Sequence, residues 1–286
     1  MIEIITVNYQ ATDWIAQLLV SLQAQEDADW RLIIVNNSPP DDRLKAWASD
    51  RVVLLEMSQN LGFGAACNRG LTWVYGYNPQ AIVWLLNPDT QLPPTAIWQA
   101  HQEFQAHPDR SILGTVVTEP NGVFWFAGGR FLPQAGTIVA ETTWPSTDAY
   151  QSCAWVTGCS LLLNLAQFAT CPQFDPDYFL YYEDFDFCRR YAEAGHSIGI
   201  TRSIQVIHHP SAITDRQPQH KFQHSTYSYL ITLERYASKL ALSWRLLRLV
   251  LHAIVLFPRR PAVAWGKLQG ILHYFVRTIR GPFPIG

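Results

Sequence analysis

Four short stretches carry side chains suited to chemistry. Residues 179–190 read Phe-Leu-Tyr-Tyr-Glu-Asp-Phe-Asp-Phe-Cys-Arg-Arg, with Glu183, Asp184 and Asp186 opening a helical pattern. A helix start favours negative charge, so Asp184 is expected to be ionised, and an ionised carboxylate beside a bound hydroxyl is a general base. The same acids also suit an ordinary helix start, and Phe179, Tyr181 and Tyr182 are either core residues or rings for stacking on sugars. Asn87-Pro88-Asp89 closes an apolar run. A carboxylate there can hold a divalent cation that also binds phosphate oxygens, or it can cap the next helix. His208 and His209 end another apolar run, where a histidine is either a satisfied core residue or a ligand completing a metal shell with Asp89. The turn Asn60-Leu-Gly62-Phe-Gly64 has the Gly-x-Gly spacing of a dinucleotide site. It follows the third strand and has Cys67 at the third fingerprint position, so alone it says that backbone approaches something closely.

These stretches need a scaffold, and the hydrophobic pattern supplies one. Residues 2–8, 31–35, 51–56 and 81–86 are short, β-branched, apolar runs that read as buried strands. Helical spacing over 12–24, near 41–49, through about 75 and near 94–106 separates them. Alternating strands and helices require crossover connections and a mostly parallel sheet, whose ligands sit beyond the carboxyl ends of the strands. Asn8-Tyr9, Asn36-Asn37 and Asn87-Pro88-Asp89 all fall there, which predicts one shared pocket. Residues 111–160 read as irregular strands and loops, with turns at Asn121-Gly122 and Gly128-Gly129. A helix over 183–194 closed by Gly195 and a strand over 198–207 follow. The pattern is then helical from about 222 to 257, broken at Pro258, and resumes from 262 to 280.

The chain has 286 residues with 48% hydrophobic and 15% charged, enough for a large core and contrary to disorder. Its net charge of −2 hides a split. Residues 1–215 carry 10 Lys and Arg against 22 Asp and Glu, a net of −12, and residues 216–286 carry 11 against only Glu234, a net of +10. The basic segment is expected to meet something anionic. The stretch Leu240–Phe257 is strongly apolar but has Arg245, Arg248 and His252 inside it, which fits a helix lying in a membrane interface better than one spanning it. Arg259, Arg260, Lys267, Arg277 and Arg280 add attraction for anionic headgroups. The competing arrangement packs these helices on the acidic body. Cys67, Cys153, Cys159, Cys171 and Cys188 show no zinc spacing and read as reduced thiols, and the opening residues show no signal-peptide pattern.

The constellation resembles family 2 glycosyltransferases, especially the rhamnosyltransferase-like branch. Val-Asn8-Tyr9, Val-Asn36-Asn37-Ser, Asn-Leu-Gly-Phe-Gly-x-x-x-Asn68-Arg-Gly, Leu-Leu-Asn87-Pro-Asp89-Thr, Val-Thr-Gly158-Cys-Ser, Tyr182-Glu183-Asp184-Phe-Asp186 and Val-Ile-His208-His carry the likeness, over roughly residues 2–215. It implies an α/β GT-A fold, Rossmann-like with a mostly parallel central sheet and flanking helices, here followed by a C-terminal helical extension. Residues 1–110 would form the nucleotide-sugar-binding half and 111–215 the acceptor-binding half. Residues 216–286 would form a basic amphipathic tail associated with a membrane.

The resemblance implies inverting transfer of a sugar from a nucleotide-diphosphate donor, dTDP-rhamnose or a UDP-sugar, to a glycan or lipid-linked acceptor. Asn8, Tyr9, Asn36, Gly62, Asn68 and Asn87 would bind the donor. Asp89 and His208 would hold Mg²⁺ or Mn²⁺. Asp184 would be the base, Glu183 and Asp186 would orient it or bind acceptor hydroxyls, and Gly158 and Tyr182 would lie on the acceptor side. The second strand ends in Asn36 where the family usually has Asp, and Pro210 follows His209 where Gly is common. The expected setting is cytoplasmic, peripheral at the inner face of the cell membrane, with no nucleic-acid partner. A catalytically inactive family member acting as a scaffold is the alternative. A sugar-nucleotide pyrophosphorylase would need a Gly-rich basic loop where the chain has Asn8-Tyr9-Gln10-Ala11-Thr12.

Overall fold

The computed structural model describes residues 1–144, 147–209 and 217–280; Pro210 and the 215/216 boundary lie outside them. Strands β1 (Ile2–Asn8), β2 (Trp30–Asn36), β3 (Val52–Glu56) and β4 (Ile82–Leu86) alternate with helices α1 (Thr12–Gln23), α2 (Asp42–Ala46) and α3 (Phe63–Tyr77), as the apolar runs predict. After β4 come β5 (Thr90–Gln91), α4 (Ala96–Ala106) and β6 (Ile112–Thr118). Then follow β7 (Phe124–Phe126), β8 (Gly129–Leu132), β9 (Thr137–Ala140), β10 (Tyr150–Ser152) and β11 (Ser160–Asn164). The chain continues through α5 (Glu183–Glu193) and β12 (Ile198–His208) to α6 (Pro218–Tyr236), α7 (Lys239–Leu256) and α8 (Pro261–Arg280).

Eight strands form a row in the order β10-β12-β6-β11-β4-β1-β2-β3. The pairs β1/β2, β1/β4, β2/β3 and β6/β12 are parallel, whereas β11 runs antiparallel to both neighbours and β10 to β12. Six of the eight strands therefore point the same way. Their carboxyl ends share one edge with the amino end of β11. Each central strand is buried on both faces, so its side chains divide by parity. Ile5, Val7, Ile33, Val35, Val83 and Leu85 enter one core, and Ile4, Leu32, Ile34, Trp84 and Leu86 enter the other. Each such side chain, removed fully from water, contributes about 1.5–3 kcal/mol.

One expectation needs correction and another is refined. Residues 111–160 do hold short strands joined by loops, but β6 among them is fully buried and, with β11 just beyond, sits in the middle of the sheet. Their pairing joins residues about fifty apart, a contact no local pattern reports. The helix expected over 222–257 is two helices. Pro218 begins α6 at a position where a missing N–H costs nothing, and Ser238 caps α7 by accepting from Ala241 N at 3.2 Å.

The basic tail folds back onto the body through one face. Tyr178, Tyr227, Leu230, Ile231, Ile271 and Tyr274 make a third core, onto which Leu242, Leu246, Leu249 and Val250 of α7 pack. The β8–β9 hairpin meets it, with Tyr229 donating to Gly136 O at 2.8 Å and Ser238 N to Pro133 O at 3.1 Å.

Gly62, at the start of α3, has φ +82°, and a Cβ there would lie 2.2 Å from the carbonyl oxygen of Phe179. Gly62→Ala is therefore expected to cost more than ~2 kcal/mol in urea denaturation, from left-handed strain plus a backbone clash that no side-chain rotation relieves. An unchanged midpoint would contradict this packing.

Candidate active site

The strand ends close the sheet edge with amides that bond one another. Asn8 Nδ2 donates to Asn36 Oδ1 at 2.8 Å, and Asn36 Nδ2 donates to Glu56 Oε2 at 2.6 Å. Asn8 Oδ1 also accepts from Ala11 N at 3.0 Å. This chain crosses the ends of β1, β2 and β3 and stops at a carboxylate that is exposed to solvent. Glu56 was not among the expected site residues; its place as the last residue of β3 was the available signal. Tyr9 stands beside this row, 41% exposed. Asn37 pins the glycine turn, donating to Asn60 Oδ1 at 2.7 Å and to Gly62 O at 3.1 Å and accepting from Leu61 N at 2.8 Å.

Asn68 lies away from that row. Its side-chain amide donates to Phe174 O at 2.9 Å and accepts from Phe174 N at 2.7 Å, clamping α3 to the segment before α5. Gly62 likewise faces protein, since the carbonyl of Phe179 occupies the space beside it and accepts from Phe63 N at 3.0 Å.

The Asn87–Thr90 turn that carries Asp89 is held at three points. Asn87 N bonds Cys159 O at 3.0 Å, Thr90 Oγ1 bonds Asn87 O at 2.7 Å, and His209 N bonds Asp89 O at 3.0 Å. The pairing of β5 with β12 sets Thr90 opposite His208 and brings His208 Nε2 to 3.3 Å from Asp89 Oδ1. Both residues are about 5% exposed. Asp89 Oδ1 has no aligned donor among the described residues, and neither has His208 Nδ1 a partner. A buried carboxylate oxygen left without a donor is costly, and a divalent cation would relieve it. No cluster of three or more His, Cys, Asp or Glu suited to a metal occurs among the described residues. The donor set therefore fits a cation whose remaining ligands are substrate phosphates and water, the usual condition of Mg²⁺ and its analogues.

Asp184 lies in the first turn of α5. Its Oδ2 accepts from Gly158 N at 2.9 Å and its Oδ1 from Phe185 N at 2.8 Å. Gly158 permits this approach, because a Cβ there would sit 3.2 Å from the Phe63 ring. Burial pushes the Asp184 carboxyl above the ordinary aspartate range, against the lowering effect of those two backbone donors. Desolvation thus outweighs the backbone donors that the helix start and Gly158 supply. Burial, and then the charge of Asp184, push Glu183 up as well, and Glu183 Oε2 has no partner among the described residues. The buried thiol of Cys159 is raised by desolvation and then by the charges of both Asp89 and Asp184, so it lies within the field of each. The cation locus and the acid therefore meet at the two residues just before β11, where Cys159 O accepts from Asn87 N and Gly158 N donates to Asp184.

The segment leading into α5 is strained. Tyr181 and Tyr182 have φ +70° and +65°, at about 1–3 kcal/mol each for residues with side chains. Helix α6 holds them there: Ser228 Oγ donates to Leu180 O at 2.8 Å, His224 stacks on Phe179 at 4.6 Å, and Tyr229 packs on Tyr182. Asp186 faces this buttress. Its carboxylate takes Arg190 Nε at 2.7 Å, Arg235 Nη1 at 3.0 Å and Tyr236 Oη at 2.8 Å. The structure thus brings Asp89, His208, Asn87, Gly158 and Asp184 to one place, sets Glu183 beside Gly64 of α3, and commits Asp186 to α6.

Residues 3–157 match the model of the family described as Glycosyl transferase family 2. Among solved structures, the chain is similar to GalNAc-T7, crystallised with UDP, GalNAc and Mn²⁺, at TM-score 0.63 and 10% identity over 82% of this chain and 47% of that one. It is similar to S. aureus TarS at TM-score 0.53 and 15% identity, covering 80% of this chain and 39% of that one. The shorter TarS 1–349 with UDP gives 0.51 and 14%, over 80% and 64%. The chain spans about half the length of these relatives, and at such identities the likeness shows the fold.

Folded Glu183 binds its proton more tightly than unfolded Glu183, so its contribution to stability falls as pH rises above the unfolded value of 4.5. Glu183→Gln, which keeps the neutral shape, is expected to flatten this slope and to gain on the wild type between pH 5 and 8 by up to roughly 1.4 kcal/mol per pH unit. Parallel urea midpoints for both proteins across that range would show that Glu183 holds no extra proton.

Proposed function

Since the chain belongs to glycosyl transferase family 2, we propose that it transfers a sugar from a nucleotide-diphosphate donor to a hydroxyl of a glycan or lipid-linked acceptor, with inversion. The observation that carries this reading is the meeting at residues 158 and 159: Gly158 N donates to the buried acid Asp184 at 2.9 Å, and Cys159 O accepts at 3.0 Å from Asn87 N, two residues from Asp89 with His208 3.3 Å away. A donor diphosphate and an acceptor hydroxyl need those two chemistries within one sugar's width of each other.

Asp89 and His208 would hold Mg²⁺ or Mn²⁺, which when bound offsets charge on the leaving diphosphate. Asp184 takes the acceptor hydroxyl proton as that oxygen attacks the anomeric carbon opposite the diphosphate. One displacement inverts the centre without an enzyme nucleophile. The raised pKa of Asp184 makes it a stronger base, and a protonated Glu183 beside it avoids a second buried charge. Gly158 N aims the carboxylate. Tyr182 and the residue 111–215 half would meet the acceptor, and residues 1–110 the donor.

Asn8, Tyr9 and Asn36 would face the base and ribose. Asn36 Oδ1 already accepts from Asn8, so an N–H of the base is left to the exposed carboxylate of Glu56. The likeness to two structures holding UDP supports a UDP-sugar, and the sequence resemblance supports dTDP-rhamnose; both bases are pyrimidines with an N–H to donate. The setting this suggests is the cytoplasmic face of a membrane.

A thermal-shift screen with UDP, dTDP, GDP and CDP, each with and without Mn²⁺, tests the donor half. A metal-dependent rise with UDP or dTDP is expected, lost in Asp89→Ala and reduced in Glu56→Ala. Asp184→Asn is expected to keep that rise while turnover with the matching donor falls by about 10²–10⁴. No rise with any nucleotide would return the chain to the scaffold alternative, and full turnover in Asp184→Asn would remove it as the base.

A further inference from the structure

Helix α7 is apolar on two opposite faces, and the fold covers only one. Leu242, Leu246, Leu249 and Val250 pack on the core shared with α6 and α8, and Ala241 and Ala253 are buried. On the other side stand Leu240, Trp244, Leu247, Leu251, Ile254 and Val255, each 49–84% exposed. Their steps of four and three residues place them in one stripe, about 22 Å long at helical rise. Phe257 extends the stripe past the helix end at 50% exposure, and Trp265 in the first turns of α8 is equally exposed. A helix apolar all round normally has partners on every face, and an apolar patch of this extent marks an interaction surface.

The charges beside the stripe say what that partner is. Arg248 lies within the stripe's span, and Arg259 and Arg260 follow directly on Phe257. Among the described residues no carboxylate pairs with any of these three. The one acid in residues 217–280, Glu234, is engaged by Arg277. A second copy meeting this face through a two-fold axis would bring arginines against arginines. A surface of anionic headgroups over hydrocarbon satisfies both features: the apolar stripe enters the acyl boundary, the arginine stems follow it, and their guanidiniums reach the phosphates. Trp244 and Trp265 are of the type that settles at that boundary. No helix among the described residues is long and apolar enough to cross a membrane, so the contact is one of lying on it.

We propose that α7, through the Leu240–Val255 stripe and the Arg248, Arg259 and Arg260 guanidiniums, docks the protein flat on an anionic lipid surface. The inference holds whether or not the site transfers sugars.

Flotation of the full chain with phosphatidylcholine vesicles, with and without phosphatidylglycerol, tests it. The protein is expected to float with the anionic vesicles, less with the neutral ones, and to be released as salt rises. The double variant Leu247→Glu with Leu251→Glu alters only exposed positions, so its melting temperature and nucleotide-induced shift are expected to match the wild type while vesicle affinity falls tenfold or more. Replacing Arg248, Arg259 and Arg260 by Gln is expected to weaken binding to anionic vesicles by roughly 100-fold, about fivefold per charge, and to leave binding to neutral vesicles unchanged. Failure to float with anionic vesicles overturns the proposal. So does undiminished floating of a folded double variant. A dimer in light scattering that the double variant turns into a monomer would assign the stripe to a second copy instead.

Discussion

Asp186 has no exposed surface, and the carboxyl edge of the sheet depends on how its charge is met. A lone buried carboxylate would cost several kcal/mol, more than a marginally stable chain can give away. Arg190 meets it from one turn along the same helix. Arg235 and Tyr236 meet it from the last turn of α6, and Arg235 also reaches Asp175 and Asp177. The last turn of α6 is thereby tied to the segment that enters α5. Once that tie exists, Ser228, His224 and Tyr229 can hold the backbone through two left-handed tyrosines. That path presents Asp184 to Gly158 and sets the Phe179 carbonyl against the glycine turn. Strain at the acid is thus offset by ion pairing some distance away.

The other determinant is the reversed strand β11. Its antiparallel seat between β4 and β6 puts its amino end at the edge where the parallel strands finish. Residues 157–159 therefore arrive beside Asn87 without a long loop, and backbone bonds fix both neighbours. Asn87 N reaches Cys159 O, and Gly158 N reaches Asp184. A parallel strand in that place would deliver its carboxyl end instead, and the acid and the cation locus would need a flexible connection to meet.

Much of the first hundred residues was legible, because apolar runs bounded by Asn and Gly encode buried strands and their ends. The placement of Asp89 and His208 at two strand ends followed from those runs. What stayed hidden rests on contacts between distant residues. Nothing local says that Asn68 will clasp Phe174, 106 residues on, or that Asn36 will lean on Glu56. Three acids within four residues at a helix start look alike in sequence. In space Asp184 turns to Gly158 and Asp186 turns to an arginine from a helix that the resemblance does not reach. The split between α6 and α7 was legible in principle through Ser238 as a cap, but a continuous apolar pattern masked it.

Helix α6 also sets an order in time. A ribosome delivers the chain amino end first, so residues 179–186 emerge some fifty residues before Arg235 and Tyr236 exist to receive Asp186. During that interval Asp186 has only Arg190, from its own helix, to meet its charge. The centre is completed by residues that follow it in the chain, and a chain cut short before Arg235 lacks the side chains that meet Asp186 from α6.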